Sequence, residues 1–192
     1  DLWNAVLEFN AAPEGAAVFV RGSDAPLVSF DSGASFGLNA APFPADAVQC
    51  VEGKPCGGLI GNVAENINGQ PSPGSVIYAT NTAEVGIGRS ESSAPVPAGG
   101  VLIQANEGVH LVNAADDDEC QLYLHNALIS DNQTSQALIR IDCEGTFSVV
   151  DSTITNNTIG GSKLLTSNDS TVTLARSILW QPGLTSLTRS GG

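Results

Sequence analysis

The chain has 192 residues, and 20 of them are Asp or Glu against seven Lys or Arg, which gives a formal net charge of −13 at pH 7. So few basic residues argue against binding to nucleic acid or to an anionic membrane surface, because both partners are recognised through clustered Lys and Arg side chains. No apolar run approaches the roughly 18 residues of a transmembrane helix, so we expect no membrane insertion in this segment.

The composition predicts strands and turns rather than helices. Val, Ile, Leu and Thr recur in short runs, and these runs are bounded by Gly, Asn, Asp and Ser. This pattern is typical of β-strands joined by tight turns. The sequence therefore predicts a single all-β domain over residues 1–192.

The first fifteen residues are an exception and predict a short helix. Leu2, Val6 and Phe9 fall on one helical face, and Pro13 to Gly15 would end the helix. We expect this helix, over residues 1–15, to cap the open end of the domain, because an uncapped solenoid exposes its sheet edges.

A stretch rich in Ala, Pro and Gly over residues 31–73 predicts an insertion into the β-domain. Within it, Cys50 and Cys56 stand in the loop CVEGKPC, whose Gly and Pro let the chain double back and close a disulfide. Zinc is the alternative for the four cysteines, but no Cys-x-x-Cys pair is present and neither His lies at a ligand spacing. Disulfides are favoured, and they indicate an oxidising compartment.

The C-terminal half contains a sequence repeat, in segments that start at Leu122, Phe147 and Val172. Apolar residues alternate with polar ones in each segment, so we expect strands with one buried face. The predicted buried columns are Leu122, Phe147 and Val172; Leu124, Val149 and Leu174; and Ile129, Ile154 and Leu179. At the following turn we expect Asn132 to stack on Asn157, and Asp131 on Asn156.

Further strands precede these segments, so each repeat holds about three short strands. A period of about 25 residues with three strands predicts a right-handed parallel β-helix, in which each strand pairs with its equivalent one coil away. A leucine-rich repeat is the alternative at this period, but its regular Leu spacing is missing. We expect regular coils over residues 74–183, ended by Pro182, and a tail over residues 184–192.

The repeat also predicts a second disulfide. Cys120 lies two residues before Leu122, and Cys143 lies four residues before Phe147. Both cysteines therefore fall in the same turn of successive coils, close enough to form a bridge.

Residues 126–161 and 170–183 resemble the repeats of bacterial secreted β-helix proteins of the pectin-lyase-like superfamily, including polymorphic outer-membrane and choice-of-anchor surface proteins. The best match is Ser152 to Asn157 followed by Gly160 and Gly161. The resemblance covers roughly residues 100–185. It implies a right-handed β-helix, an extracellular or cell-surface location and frequent association with polysaccharide, but it fixes no activity.

Few residues suggest catalysis. Polysaccharide lyases of this type combine acidic ligands with a basic residue, and Arg140 and Asp142 alternate to the same strand face. The alternative for these two residues is an exposed salt-bridging pair. A glycoside hydrolase needs two carboxylates, for which Asp142 and Asp151 are candidates only by being acidic. Neither His110 nor His125 has a Ser or Cys nucleophile suggested by its context.

Four adjacent carboxylates, Asp116, Asp117, Asp118 and Glu119, could bind Ca²⁺, which accepts irregular sets of oxygen ligands. The alternative is a solvated acidic loop, because the alternating spacing and the Gly of a dedicated calcium loop are missing.

Two functions follow from these observations. The first is an extracellular or cell-surface module without catalytic activity, adhesin-like or glycan-binding, that is a monomer and requires no cofactor. The alternative is a polysaccharide lyase or glycoside hydrolase that acts along one sheet face.

Overall fold

A computed structural model of the chain describes residues 2–3, 6–13, 15–21, 27–31, 49–51, 54–55, 58–64, 74–80, 84–87 and 101–190. Every regular element in these ranges is a β-strand. The described part of the chain thus contains no helix that could cross a membrane.

The strands are numbered in chain order. Their bounds are β1 (Leu2–Trp3), β2 (Val6–Glu8), β3 (Ala11–Ala12), β4 (Val18–Arg21), β5 (Leu27–Asp31), β6 (Gln49–Val51), β7 (Lys54–Pro55), β8 (Gly58–Ile60), β9 (Val63–Ala64), β10 (Ser75–Thr80), β11 (Glu84–Ile87), β12 (Val101–Gln104), β13 (Glu107–Gly108), β14 (His110–His125), β15 (Ala127–Ser130), β16 (Gln133–Thr134), β17 (Ile139–Val150), β18 (Thr153–Thr155), β19 (Thr158–Ile159), β20 (Lys163–Ala175), β21 (Ile178–Trp180) and β22 (Thr185–Ser190).

Three parallel sheets contain all of these strands except the antiparallel hairpin β6–β7. Sheet 1 holds β1, β4, β5, β10, β11, β14, β17, β20 and β22; sheet 2 has the order β2-β8-β12-β15-β18-β21; and sheet 3 has the order β19-β16-β13-β9-β3. From β14 to β21 the chain visits the three sheets in strict rotation, and we call each passage a rung. The fold is therefore all-β with parallel strands, an architecture compatible with a parallel β-helix.

The strand register confirms all three predicted apolar columns. Phe147 pairs with Leu122 on one side and with Val172 on the other, and Ile154 lies between Ile129 and Leu179 in the same way. Phe147 and Ile154 are buried in the core between the sheets. The third column, formed by Leu124, Val149 and Leu174, is exposed to solvent at its last residue. Leu174 is 37% exposed, because among the described strands β22 pairs only with the first part of β20 and leaves the Leu174 edge uncovered.

The strands of sheet 1 are longer than the sequence predicts. The two strands expected in each repeat merge into single strands of 16, 12 and 13 residues, namely β14, β17 and β20, with a shift in register at the point where the predicted turn stood. The predicted disulfide between Cys120 and Cys143 lies at this irregularity, with 6.0 Å between the two Cα atoms. Gly145 fits beside the disulfide because it has no Cβ, which would lie 1.9 Å from the Cys120 carbonyl oxygen.

An asparagine ladder runs along the corner between sheets 2 and 3. The backbone N–H of each member donates to the side-chain Oδ1 of the next, at 2.9 to 3.1 Å. The members are Asn10, Asn62, Asn106, Asn132 and Asn157. The residue before each member has a positive φ, which turns the chain sharply from one sheet to the next. The predicted stacking of Asn132 on Asn157 and of Asp131 on Asn156 is confirmed.

The helix expected over residues 1–15 is wrong. Val6–Glu8 forms β2 and pairs with β8, and Ala11–Ala12 forms β3 and pairs with β9. The apolar spacing is compatible with a helix, but Asn10 belongs to the asparagine ladder and Phe9 has a φ of 54°. Pairing with distant strands satisfies this backbone in place of a helix.

The insertion expected over residues 31–73 is too long. Gly58–Ile60 and Val63–Ala64 belong to sheets 2 and 3, so this part of the stretch completes a rung. The antiparallel pairing of β6 with β7 shows that the chain doubles back between Val51 and Lys54. Cys56 and the side chain of Cys50 lie outside the described residues, so their disulfide stays a prediction.

The tail expected over residues 184–192 is wrong for Thr185–Ser190, which forms β22 and pairs with β20. Pro182 does not stop strand pairing, because the chain turns at Pro182 and Gly183 and re-enters sheet 1. Gln181 instead ends the asparagine ladder: its Oε1 accepts the Asn157 backbone N–H at 3.0 Å, and its Nε2 donates to the Asn157 carbonyl.

The ladder makes a testable contribution to stability. Replacing Asn132 by Ala removes the acceptor of the buried Asn106 N–H and the donor to two carbonyl groups. We expect the free energy of unfolding to fall by about 2 to 3 kcal/mol, measured by urea unfolding. Gln133→Ala, at the exposed neighbouring position, is the control and should change it by less than about 0.5 kcal/mol. Equal effects of the two substitutions would contradict this role of the ladder.

The disulfide should stabilise the fold by restricting the unfolded chain. Replacing both Cys120 and Cys143 by Ser opens a loop with a sequence separation of 23 residues. We expect the free energy of unfolding to fall by about 3 kcal/mol. Unfolding of the wild-type chain and of the double variant, both without reductant, gives the comparison. An unchanged midpoint would show that the bridge adds no stability.

Candidate functional site

A pocket of about 350 Å³ lies on sheet 1, where β17 and β20 run side by side. Its lining combines charged, amide and hydroxyl side chains. The lining residues are Arg140, Ile141, Asp142, Lys163, Thr166, Ser167 and Asn168. We call it the sheet-1 pocket.

Strand alternation explains why these side chains meet. Ile139 and Ile141 are buried in the core, so Arg140 and Asp142 between and after them face outward. The register then sets Arg140 beside Thr166 and Asp142 beside Asn168. The prediction that Arg140 and Asp142 share one face is confirmed.

Asp142 is held by two donors. Arg140 Nη2 lies 2.5 Å from Asp142 Oδ2, and Asn168 Nδ2 donates to Asp142 Oδ1 at 3.1 Å. The Arg140 and Asp142 side chains remain 40% and 37% exposed, so a ligand can reach both. Lys163 lines the same pocket and makes no ion pair with another described residue.

The pocket can supply both donors and acceptors to a polar ligand. Arg140, Lys163 and Asn168 offer N–H groups, whereas Asp142 offers carboxylate oxygens. A sugar hydroxyl both donates and accepts, so it can bind to a carboxylate and to an amide or guanidinium at once. The pocket is thus suited to a ligand rich in hydroxyl groups.

No candidate metal site emerges from the described residues, among which no three His, Cys, Asp or Glu side chains are grouped to hold an ion. The predicted calcium ligands Asp116, Asp117 and Asp118 fall within β14, but their side chains lie outside the described residues. Glu119 is exposed. Calcium binding at this segment stays a prediction.

The two carboxylates considered for glycoside hydrolysis are not brought together. Asp142 lies in the first part of β17, whereas Asp151 follows the end of that strand at the corner to sheet 2. Asp151 forms two hydrogen bonds with the guanidinium of Arg176, at 2.6 and 2.7 Å. These bonds lower the pKa of Asp151, so it stays ionised rather than becoming a general acid.

The structure also brings together a pair that sequence reasoning missed. His125 Nε2 lies 2.8 Å from Ser148 Oγ on the outer face of sheet 1. The contact could have been found from the repeat, because Ser148 pairs with Tyr123 and His125 follows two residues later. Strands pair on both sides of β17 here, so the backbone N–H groups of β17 are engaged in the sheet and are not available to an oxyanion beside this pair.

His110 is buried at the start of β14. Its Nδ1 lies 2.7 Å from the Ala137 carbonyl oxygen and therefore carries the proton of the neutral ring. Burial lowers the pKa of His110, and the nearby charge of Arg140 lowers it further, although the hydrogen bond to Ala137 opposes the shift.

This shift predicts a loss of stability in mild acid. The unfolded chain, with an ordinary His pKa of 6.5, takes up a proton more readily than the folded chain does. The contribution of the buried, neutral His110 to the free energy of unfolding is thus fully present above pH 6.5, and it decreases as the pH falls below 6.5. We expect the Tm of the wild-type chain to fall between pH 7 and pH 5, and that of His110→Gln to fall less. Parallel curves for the two chains would exclude His110 as the cause.

Comparisons with protein-family models, with curated proteins and with solved structures give no match for this chain. The resemblance of residues 126–161 to pectin-lyase-like repeats therefore stays a prediction.

Proposed function

We propose that this chain is an extracellular or cell-surface module, a right-handed parallel β-helix that binds glycans in the sheet-1 pocket without catalysing a reaction. The main support for the proposal is the sheet-1 pocket, because it joins charged, amide and hydroxyl groups in one accessible depression of sheet 1.

The right-handed β-helix is supported by the path of the chain. Consecutive rungs pair in parallel in all three sheets, and connections between parallel strands of one sheet are right-handed in nearly all proteins. The resemblance to repeats of the pectin-lyase-like superfamily leads to the same fold.

The extracellular location is supported by the disulfide between Cys120 and Cys143. Disulfides persist in oxidising compartments and are rare in the cytosol. The net charge of −13 is consistent with a module that stays soluble outside the cell.

Glycan binding is supported by the arrangement of donors around Asp142. Its carboxylate is bound by Arg140 and Asn168 yet remains partly exposed, so its free lone pairs can accept hydrogen bonds from hydroxyl groups. Such a fixed, partly satisfied carboxylate is suited to orient a sugar without being displaced.

The test is a glycan array covering neutral and acidic polysaccharides, followed by calorimetry of the glycans that bind. We expect Arg140→Gln to weaken binding at least about tenfold, since a bond to a charged group contributes about 1.5 to 3 kcal/mol. Arg176→Gln removes the same kind of Arg–Asp pair outside the pocket and is the matched control. No binding above background on the array would refute the proposed function.

The alternative, a lyase or hydrolase using Arg140 and Asp142, is tested on the same polysaccharides. Unsaturated or reducing-end products that disappear in Asp142→Asn would favour the enzyme. Binding without products would support the non-catalytic module. The described pocket lining agrees with this outcome, because it provides one carboxylate, whereas glycoside hydrolysis uses two.

A further inference from the structure

Two aromatic side chains stand on sheet 1 in line with the sheet-1 pocket. Phe19 of β4 and Tyr78 of β10 pair in register, and their rings stack with 5.5 Å between centroids and 23° between planes. Phe19 is 50% exposed, which is unusual for a phenylalanine within a regular strand. The pair therefore presents aromatic surface to solvent.

The register connects this pair to the pocket. Tyr78 lies beside Asn113, Asn113 beside Arg140, and Arg140 beside Thr166. Phe19 and Arg140 are thus three strand spacings apart on one outward column, about 14 Å at roughly 4.8 Å per spacing. A ligand that reaches from the pocket to Phe19 must be longer than one sugar.

Asn113, at the middle of the column, has an unusual environment. Its side chain is buried, and its Oδ1 has no hydrogen-bond partner. Buried polar atoms are hydrogen-bonded in nearly all cases, so an exception calls for an explanation, such as a bound water or ion. In the register Asn113 lies between Tyr78 and Arg140. Because its oxygen is buried, Asn113 joins the two ends of the column without itself offering a contact to a ligand on the outer face.

Aromatic rings favour sugars that expose C–H groups on their ring faces. A β-1,4-linked glucan has equatorial substituents throughout, so its ring faces are apolar while its edges carry hydroxyl groups. The charge of the protein favours an uncharged chain, because a net charge of −13 repels polyanions. The aromatic pair and the polar pocket together match a neutral, equatorially substituted glycan.

We propose that Phe19 and Tyr78 form an aromatic subsite that, with the sheet-1 pocket, binds a neutral β-1,4-linked glycan lying along sheet 1. This inference rests on the proposed function and deepens it by naming the ligand class and a second point of contact. Hydroxyl groups at one end of the ligand bind to Arg140 and Asp142, and a sugar face farther along packs on Phe19.

The experiment is calorimetry with glucose, cellobiose, cellotetraose and cellohexaose on the wild-type chain and on Phe19→Ala. We expect the wild-type affinity to rise along the series once the ligand spans the column. Phe19→Ala should lower the affinity for cellohexaose about tenfold, as for the loss of one aromatic contact, and leave cellobiose binding unchanged. Phe9→Ala removes another exposed phenylalanine, outside sheet 1, and should have no effect.

Equal affinities of wild-type and Phe19→Ala for every oligomer would overturn the aromatic subsite. If another glycan of the array binds in a way that depends on Arg140 and cellohexaose does not bind, the ligand class is overturned and the proposed function stands. If no glycan binds to the wild-type chain, the proposed function itself fails.

Discussion

The asparagine ladder is the interaction on which the rest of the structure depends. A chain that turns from one parallel sheet to the next leaves backbone N–H groups at the corner that no strand can satisfy. The ladder satisfies them with the amide of the next rung, and it does so only when successive rungs are aligned. The same alignment sets Arg140 beside Thr166 and Phe19 beside Tyr78, so the surface columns of sheet 1 inherit their register from a buried polar interaction.

The sequence predicts the regular half of the fold well because its period is visible. Ile129, Ile154 and Leu179 recur at one constant interval, and alternation alone assigns them to the core. The N-terminal half was harder to predict because its partners are distant in sequence. Asn10 donates to Asn62, 52 residues later, and no periodicity reveals such a pair. Without that partner in view, the spacing of Leu2, Val6 and Phe9 favours a helix.

The candidate site, too, can be predicted only in part from the sequence. Alternation within one strand was sufficient to pair Arg140 with Asp142. The contributions of Lys163 and Asn168 depend on which residue of β20 lies beside β17, and the shift in register between Asp142 and Gly145 changes the spacing on which such a prediction relies. The contact of Phe19 with Tyr78 joins two strands that are far apart in sequence and follow no visible repeat, so only the folded structure brings the two rings together.

The disulfide between Cys120 and Cys143 has a mechanical consequence. From β14 onward the strands of each rung pair in parallel with those of the rungs before and after it, so this part of the molecule can open from its end, one rung after another. Fraying that starts at β22 and β21 meets only hydrogen bonds and side-chain packing until it reaches β17. There the covalent link to β14 stops it. The disulfide thus limits local unfolding: the last rungs can open and close reversibly, while the rungs that contain Phe19 and Tyr78 stay folded.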